Sequence, residues 1–185
     1  MAPPTAGRPD RVDSTALIRP AEPGDVGVLL AMFGELARYE RLSDELRATE
    51  QALSSALFGE RVVAQALIAE RSSQAAGYAL FFPTFSTFLA REGVWLEDLF
   101  VRPAHRKAGV GTALLAAVAA RAAAQGGRLE WAALDWNELA LGFYRRLGAR
   151  TMGEWVTHRL DGEALSRLAK QAGGPLASGV ERPLA

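Results

Sequence analysis

Arg106-Lys107-Ala108-Gly109-Val110-Gly111 stands where an apolar run, Val94 to Val101, gives way to an alanine- and leucine-rich stretch. The run reads as a strand and the stretch as a long helix. A strand that feeds a glycine-containing turn and then a helix suits phosphate, because the first helical turn has free backbone N–H groups and a partial positive charge. Glycine has no Cβ, so amides there can approach a diphosphate closely, and Arg106 and Lys107 add full charges. The chemistry predicted is binding of a pyrophosphate-containing cofactor. The spacing is neither GxxxxGK[ST] nor GxGxxG, and taken alone a Gly-x-Gly before a helix fits a plain tight turn equally well.

The same run carries two adjacent carboxylates, Glu97 and Asp98. Side chains alternate along a strand, so the two point to opposite faces and form no dyad unless a bulge re-aims one. By position Glu97 is either a site carboxylate just ahead of the cofactor turn or the partner of a nearby arginine. Asp98 is either a substrate contact or a helix-cap partner. His105 and His158 are far apart and lack metal-ligand spacing, so both read as solvated surface residues and no metal site is expected. The chain has no cysteine, which excludes disulfides, thiolate metal sites and a cysteine nucleophile.

The elements that must position these residues follow from periodicity and punctuation. Met1 to Ser14, rich in proline, alanine and charge, reads as a tail, and Ala16 to Arg19 as a first strand. Pro23 and Asp25 open a helix whose apolar face is Val26, Leu29, Leu30, Phe33 and Leu36, running to about Arg41. A second helix, Thr49 to Phe58, has Thr49 as N-cap and Gly59 as its stop. Val62 to Glu70 and Gln74 to Phe82 read as a hairpin ended by Pro83, with Phe85 to Phe88 in a loop before the Val94 strand. After the long helix, Gly126-Gly127 precedes a buried strand, Leu129 to Leu134. A helix then runs from Asn137 to Leu147, closed by Gly148. An alternating strand, Glu154 to Leu160, and a last amphipathic helix, Gly162 to Gln171, complete the pattern. These predict an α/β mixed sheet, mainly antiparallel, covered by helices on both faces. A tail over 1–15, one domain over 16–172 and a flexible tail over 173–185 are expected.

Composition bounds the partners. Hydrophobic content is 49% and charged content 23%, ordinary for a globular chain of 185 residues, and 21 basic residues balance 21 acidic ones. That balance argues against nucleic acid or an anionic membrane as the main partner. No apolar run approaches the roughly 20 residues needed to span a bilayer. The N-terminal stretch lacks the apolar core of a secretory signal, so a cytoplasmic location is expected.

The Arg106 to Gly111 stretch resembles the R/Q-x-x-G-x-G/A acetyl-coenzyme A motif of the GNAT superfamily of N-acetyltransferases, which also follows a strand. The resemblance covers Leu17 to Leu168 and implies the GNAT fold. Four stretches sharpen it: Ala37-Arg38-Tyr39-Glu40, Gly77 to Phe82, Leu96 to Pro103, and Leu134 to Glu138 with Phe143 to Ala149. Together they look like the diamine (spermidine/spermine) acetyltransferase branch and its relative, the thialysine N-epsilon-acetyltransferases. Ser86-Thr87, where polyamine enzymes carry an acidic residue, is more similar to the thialysine enzymes, and the lost carboxylate disfavours a long polycation. The family's proline after Trp-Asn-Glu is Leu139 here.

What the resemblance implies can be set against the chemistry. A primary alkylamine, with a pKa of about 10.4, is almost all ammonium at neutral pH and cannot attack a thioester until it loses a proton. Glu97 is the candidate proton acceptor, directly or through water, and Tyr144 matches the family's general acid, although by spacing alone it reads as a core tyrosine. The implied acetyl-CoA contacts are Leu99, Phe100 and Val101 by their backbone, Arg106, Lys107, Ala108, Gly109, Val110, Gly111 and Thr112 around the turn, and Asn137, Ala140 and Tyr144. The implied acceptor wall is Tyr39, Glu40, Ser86, Thr87, Phe88, Glu97, Asp98, Glu130, Trp131 and Trp136, with Glu40 also readable as a solvated helix end and Trp131 as core. Direct transfer in a ternary complex to a small-molecule amine is the leading expectation, in a homodimer as in the resembling enzymes. Acetylation of a protein or peptide, and a non-catalytic acyl-CoA sensor, are the alternatives.

Overall fold

The computed structural model describes residues 16–172, so the expected tails, 1–15 and 173–185, lie outside the described residues. In chain order the strands are β1 (Leu17–Pro20), β2 (Gln65–Arg71), β3 (Gln74–Ser86), β4 (Arg91–Val101) and β5 (Leu129–Glu130). The helices are α1 (Val26–Glu40), α2 (Glu50–Phe58), α3 (Val110–Ala124), α4 (Glu138–Arg146) and α5 (Gly162–Ala169), with short 3-10 turns between them. The sheet runs β1-β2-β3-β4-β5, antiparallel through β4 and parallel from β4 to β5. The expected mixed, mainly antiparallel sheet is thus the one observed. The chain divides after Ala132 into two units, each described by itself.

In the first unit, helices cover both faces of the sheet. Val26, Leu29 and Met32 of α1 and Leu53 and Leu57 of α2 are buried against Ala66, Ile68, Tyr78 and Phe100 of the strands. Met32 lies outside the apolar face expected for α1, whereas Leu30, Phe33 and Leu36 are only partly buried beside that core. Phe81 stands three residues beyond Tyr78 and so faces the other way, where the Arg121 guanidinium of α3 lies 5.0 Å from its ring centroid. Local chemistry sets the element ends. Thr49 Oγ1 accepts from the Ala52 N–H at 3.2 Å and caps α2. Ser72 and Ser73, with φ of 52° and 59°, turn β2 into β3 in the left-handed conformation that suits a two-residue hairpin.

Three expectations fail, each for a physical reason. Pro83 does not end β3, which continues to Ser86 and pairs with β4 as far as Arg91, so the expected loop over Phe85 to Phe88 is largely strand and hairpin turn. Beyond Phe81, β3 has no β2 partner and becomes an edge, where proline's missing N–H is tolerated. The strand expected over Leu129 to Leu134 shrinks to Leu129–Glu130, because pairing with β4 stops at Trp95. Glu154 to Leu160 forms no strand. Its Trp155 and Val156 are 71% and 73% exposed and no neighbouring strand pairs with it among the described residues. Alternation suits a pleated surface but does not supply the ladder partner that a strand needs.

Candidate active site

The central feature is a break in the β3–β4 register. Leu80 stands opposite Asp98 and Phe81 opposite Leu96, which leaves Glu97 as the extra residue of a β-bulge. A bulge bends its strand and re-aims side chains. Leu96 therefore stays on the α3 face opposite Phe81, whereas Asp98 and Phe100 share the face of Tyr78 beneath α1. The bulge is the one circumstance that overrides strict alternation for the Glu97-Asp98 pair.

Each carboxylate near the bulge has a defined environment. Glu97 is exposed, and its Oε2 accepts from Trp95 Nε1 at 2.9 Å. Asp98 Oδ2 accepts from the Tyr78 hydroxyl at 3.0 Å. Burial pushes the Asp98 carboxyl up to about 6, the Tyr78 hydrogen bond opposes that rise, and the charges of Glu97 and Glu40 add to it. Glu40, at the end of α1, is partly buried, and desolvation raises its proton affinity too. Glu40 and Asp98 are thus desolvated carboxylates, the charge of the first acting on the second, with the exposed Glu97 beside Asp98 on β4, an acidic grouping that favours a cationic visitor.

The turn after β4 carries the complementary charge. Arg106 Nε donates to the Val101 carbonyl at 2.9 Å, and its guanidinium lies 5.1 Å from the centre of the Tyr39 ring. Tyr39 is thereby placed at the glycine turn, next in sequence to Glu40. Lys107 and Gly109 both have left-handed backbones, with φ of 63° and 80°. Gly109 is the N-cap of α3, and nothing lies within 4 Å of the position a Cβ would take there. The Gly109 carbonyl accepts the Ala113 N–H at 3.0 Å, so the amides of Val110, Gly111 and Thr112 precede the helical ladder. Val110 is buried and turns its side chain into the core, whereas Thr112 is exposed and Ala108 and Gly111 are partly so. An open, side-chain-free approach to several free amides, flanked by Arg106 and Lys107, fits a diphosphate.

Between these two features lies the β4 backbone at Leu99, Phe100 and Val101. On one edge it pairs with Ala79, Tyr78 and Gly77 of β3. On the other, β5 pairs only with Val94 and Trp95, so no strand among the described residues occupies that edge beyond the bulge. The remaining expected residues of this unit are scattered. Ser86 is buried at the end of β3, its Oγ accepting the Leu89 N–H at 3.3 Å, so its hydroxyl caps the hairpin turn. Thr87 and Phe88 are exposed at that turn, Phe88 by 90%. Glu130 pairs with Arg128 Nε at 3.4 Å in β5, and Trp131, just beyond, is partly buried. His105, expected at the surface, is only partly exposed, and its Nδ1 is buried without a hydrogen-bond partner.

In the second unit, Asn137 has the cap role expected of it. Its Oδ1 accepts from the Ala140 N–H at 3.2 Å and starts α4. Tyr144 lies on α4 with its ring 5.3 Å from that of Phe143, and Trp136 is exposed just before the helix. Two residues near the site carry no site role in the sequence: Tyr78, which the sequence places in a strand and in one of the stretches of resemblance, and Trp95. A tyrosine hydroxyl within an otherwise apolar strand must find a partner when buried, and that was the available signal. Which partner it finds depends on the register between β3 and β4.

A bulged fourth strand leading into a helix opened by a glycine turn defines the class. The family described as "Acetyltransferase (GNAT) family" matches residues 32–149, and the chain belongs to it and is an N-acetyltransferase. Among curated relatives, it is 38% identical to the thialysine N-epsilon-acetyltransferase of Sus scrofa, over 84% of this chain and 98% of that protein. It is 32% identical to the L-ornithine N5-acetyltransferase of Arabidopsis thaliana, over 92% and 99% of the two chains. Among solved structures, an integron cassette protein from the mobile metagenome of V. cholerae matches with a TM-score of 0.71 and 29% identity, over 84% of this chain and 98% of that one.

Proposed function

We propose that this protein transfers an acetyl group from acetyl-CoA directly, within a ternary complex, to a primary amine at the end of a small diamine or thialysine-like amino acid. The observation that carries this reading is that Glu97 and Asp98 lie on β4, the strand that ends at the glycine turn, with the charge of Glu40 from the end of α1 also acting on Asp98. A cationic acceptor and an anionic donor then have complementary sites on one strand. Relatives named for transfer to the N-epsilon of thialysine and the N5 of ornithine support a side-chain nitrogen of a small amino acid.

The roles follow from the chemistry. The amides after Gly109, with Arg106 and Lys107, hold the donor's diphosphate, and the open edge of β4 at Leu99 to Val101 supplies main-chain partners for its arm and thioester carbonyl. Asp98 and Glu40 draw in the ammonium. Glu97, which is exposed and oriented by Trp95, accepts its proton directly or through water, so that an N–H bond breaks as an O–H bond forms. The freed nitrogen attacks the carbonyl carbon, a C–N bond forms as the C–S bond breaks, the nitrogen releases its second proton to solvent to leave a neutral amide, and the sulfur takes a proton. We assign that proton to the Tyr144 phenol, with Asn137 and Ala140 as further donor contacts, on the family resemblance of α4. Tyr39, Thr87, Phe88, Glu130, Trp131 and Trp136 are proposed for the acceptor wall on the family resemblance alone, whereas the Ser86 hydroxyl is taken up in capping the hairpin turn. The working enzyme is proposed to be a cytoplasmic homodimer, which a monomeric mass in light scattering at micromolar concentration would contradict.

The test is thiol release from acetyl-CoA over thialysine, ornithine, short diamines, spermidine and lysine-containing peptides, with products weighed by mass spectrometry. Turnover on the short amines, strongly reduced in Tyr144→Phe, is expected. Turnover on peptides alone would replace this reading with a protein acetyltransferase, and binding of acetyl-CoA without any turnover would replace it with a sensor.

A further inference from the structure

We propose that Tyr78 is a positioning residue for Asp98: its phenol, delivered from the middle of β3, keeps the Asp98 carboxylate ionised and aligned to receive the ammonium of the acceptor. This inference rests on the amine-acetyltransferase reading above. Tyr78 has no exposed surface, and its ring is held 5.0 Å from that of Phe33 on α1 and 6.1 Å from that of Phe100 on β4. With the ring locked from two sides, the hydroxyl has a fixed origin. It lies 3.0 Å from Asp98 Oδ2.

The phenol is a permanent donor. Burial, then the neighbouring Asp98 charge, push its proton affinity far above the ordinary tyrosine value, so it neither ionises nor acts as an acid in the working range. The ionisable groups that act on Asp98 are Glu97 on its own strand, Glu40 from α1 and Tyr78 from β3. Both carboxylates and burial favour the neutral acid, and Tyr78 alone of these favours the anion. Asp98 is thereby pushed up to about 6, where the loss of one hydrogen bond changes the fraction of acceptor encounters that meet a charge. The bulge at Glu97 makes this possible, because it puts Asp98 on the Tyr78 face.

Tyr78→Phe keeps the ring and removes only the hydroxyl. Two measurements are made on the full chain. In the first, carbon-13 NMR of protein labelled at its aspartate carboxyls, without substrate, follows the Asp98 resonance, identified by its loss in Asp98→Asn. Its midpoint is expected to rise by about one pH unit in Tyr78→Phe. In the second, initial rates are measured against pH with ornithine or thialysine as acceptor. KM for the amine is expected to rise about threefold near pH 6.5, approaching tenfold only well below pH 6, with kcat changed far less, and the acid limb of kcat/KM is expected to move up with the NMR midpoint. Asp98→Asn should raise KM at every pH and abolish the limb. An unmoved Asp98 midpoint overturns the proposal, as does a moved midpoint with KM and the pH profile unchanged. If neither protein acetylates any amine, the functional reading falls separately, and the titration still decides whether Tyr78 controls Asp98.

Discussion

Gly77→Ala tests the framework of the site with a single methyl group. Gly77 lies opposite Val101 in the centre of the sheet, and a Cβ built there would stand 2.4 Å from the Phe100 carbonyl oxygen and 3.1 Å from Val101 Cα. Real Cβ contacts essentially never fall under 3.0 Å and become ordinary at 3.4 Å, so the strands must separate by 3.0 − 2.4 = 0.6 Å to 3.4 − 2.4 = 1.0 Å. The obstacle is backbone, so no rotamer can relieve it. Nor can Gly77 retreat easily, because it also pairs with Ala69 on its other side. The displacement therefore falls on β4 at Phe100 and Val101. There the Arg102 N–H bonds the Ala76 carbonyl at 2.9 Å, and the Arg102 guanidinium bonds the Ala75 carbonyl at 2.8 Å and Glu35 Oε1 at 2.8 Å. Overpacking of this kind costs about 1–3 kcal/mol, read as a lower urea midpoint at unchanged slope. Because the shifted segment is the one assigned to the donor's thioester, a misplacement approaching 1 Å is expected to lower kcat/KM on the order of 10²-fold. Gly24→Ala, where nothing lies within 4 Å, is the control and should change neither. A Gly77→Ala protein with wild-type urea midpoint and wild-type kcat/KM would refute the close approach of β3 to β4 and the role assigned to the β4 backbone.

Other perturbations follow from single contacts. Arg106→Gln loses a full charge at the diphosphate turn and the stack on Tyr39, and should raise KM for acetyl-CoA roughly tenfold, measured by thiol release. Arg19 bonds Asp25 at 2.6 and 2.9 Å and Glu70 at 2.8 and 2.7 Å, and that guanidinium, first among the causes, holds Asp25 below its ordinary value. A depressed carboxylate stabilises the fold above its unfolded pKa, and the contribution is lost as pH falls through the folded one. Wild-type urea midpoints should thus fall below about pH 4. Arg19→Met should be less stable by about 1–3 kcal/mol at pH 7, with much of that acid dependence gone. Thr49→Ala removes the α2 cap and should cost about 1 kcal/mol, or roughly 2–4 °C in a melting scan, with both KM values unchanged.

Much of this architecture was legible because it is written in local chemistry. Thr49, Asn137 and Gly109 sit at helix starts, and Gly59 follows a helix end, where caps and turns demand such residues. The glycine turn and its basic flank were legible for the same reason. What was not legible depends on which strand lies beside which. Pro83 reads as a strand end until β2 is found to stop opposite Phe81. Glu154 to Leu160 reads as a half-exposed strand, yet no ladder partner meets it among the described residues. Alternation placed Asp98 away from Glu97, and only the pairing of Leu80 with Asp98 and Phe81 with Leu96 reveals the extra residue between them.

That extra residue links the two halves of the proposed chemistry. Parallel pairing with β5 ends at Trp95, two residues before Glu97, and the antiparallel pairing with β3 slips at the same place. A bulge raises local twist and bends the strand that carries it, so one irregularity accounts for both departures. With β5 paired only as far as Trp95, main-chain groups at Leu99 to Val101 have no strand on that edge among the described residues, as the proposed donor arm requires. Adding one residue also sends Asp98 to the face of Tyr78 and Glu40, as a cationic acceptor requires. An all-regular β4 would keep Leu96 and Asp98 on one face, under α3, and would seal the edge with β5. The proposed donor and acceptor sites are therefore not two independent inventions of the chain but two consequences of where Glu97 fails to pair.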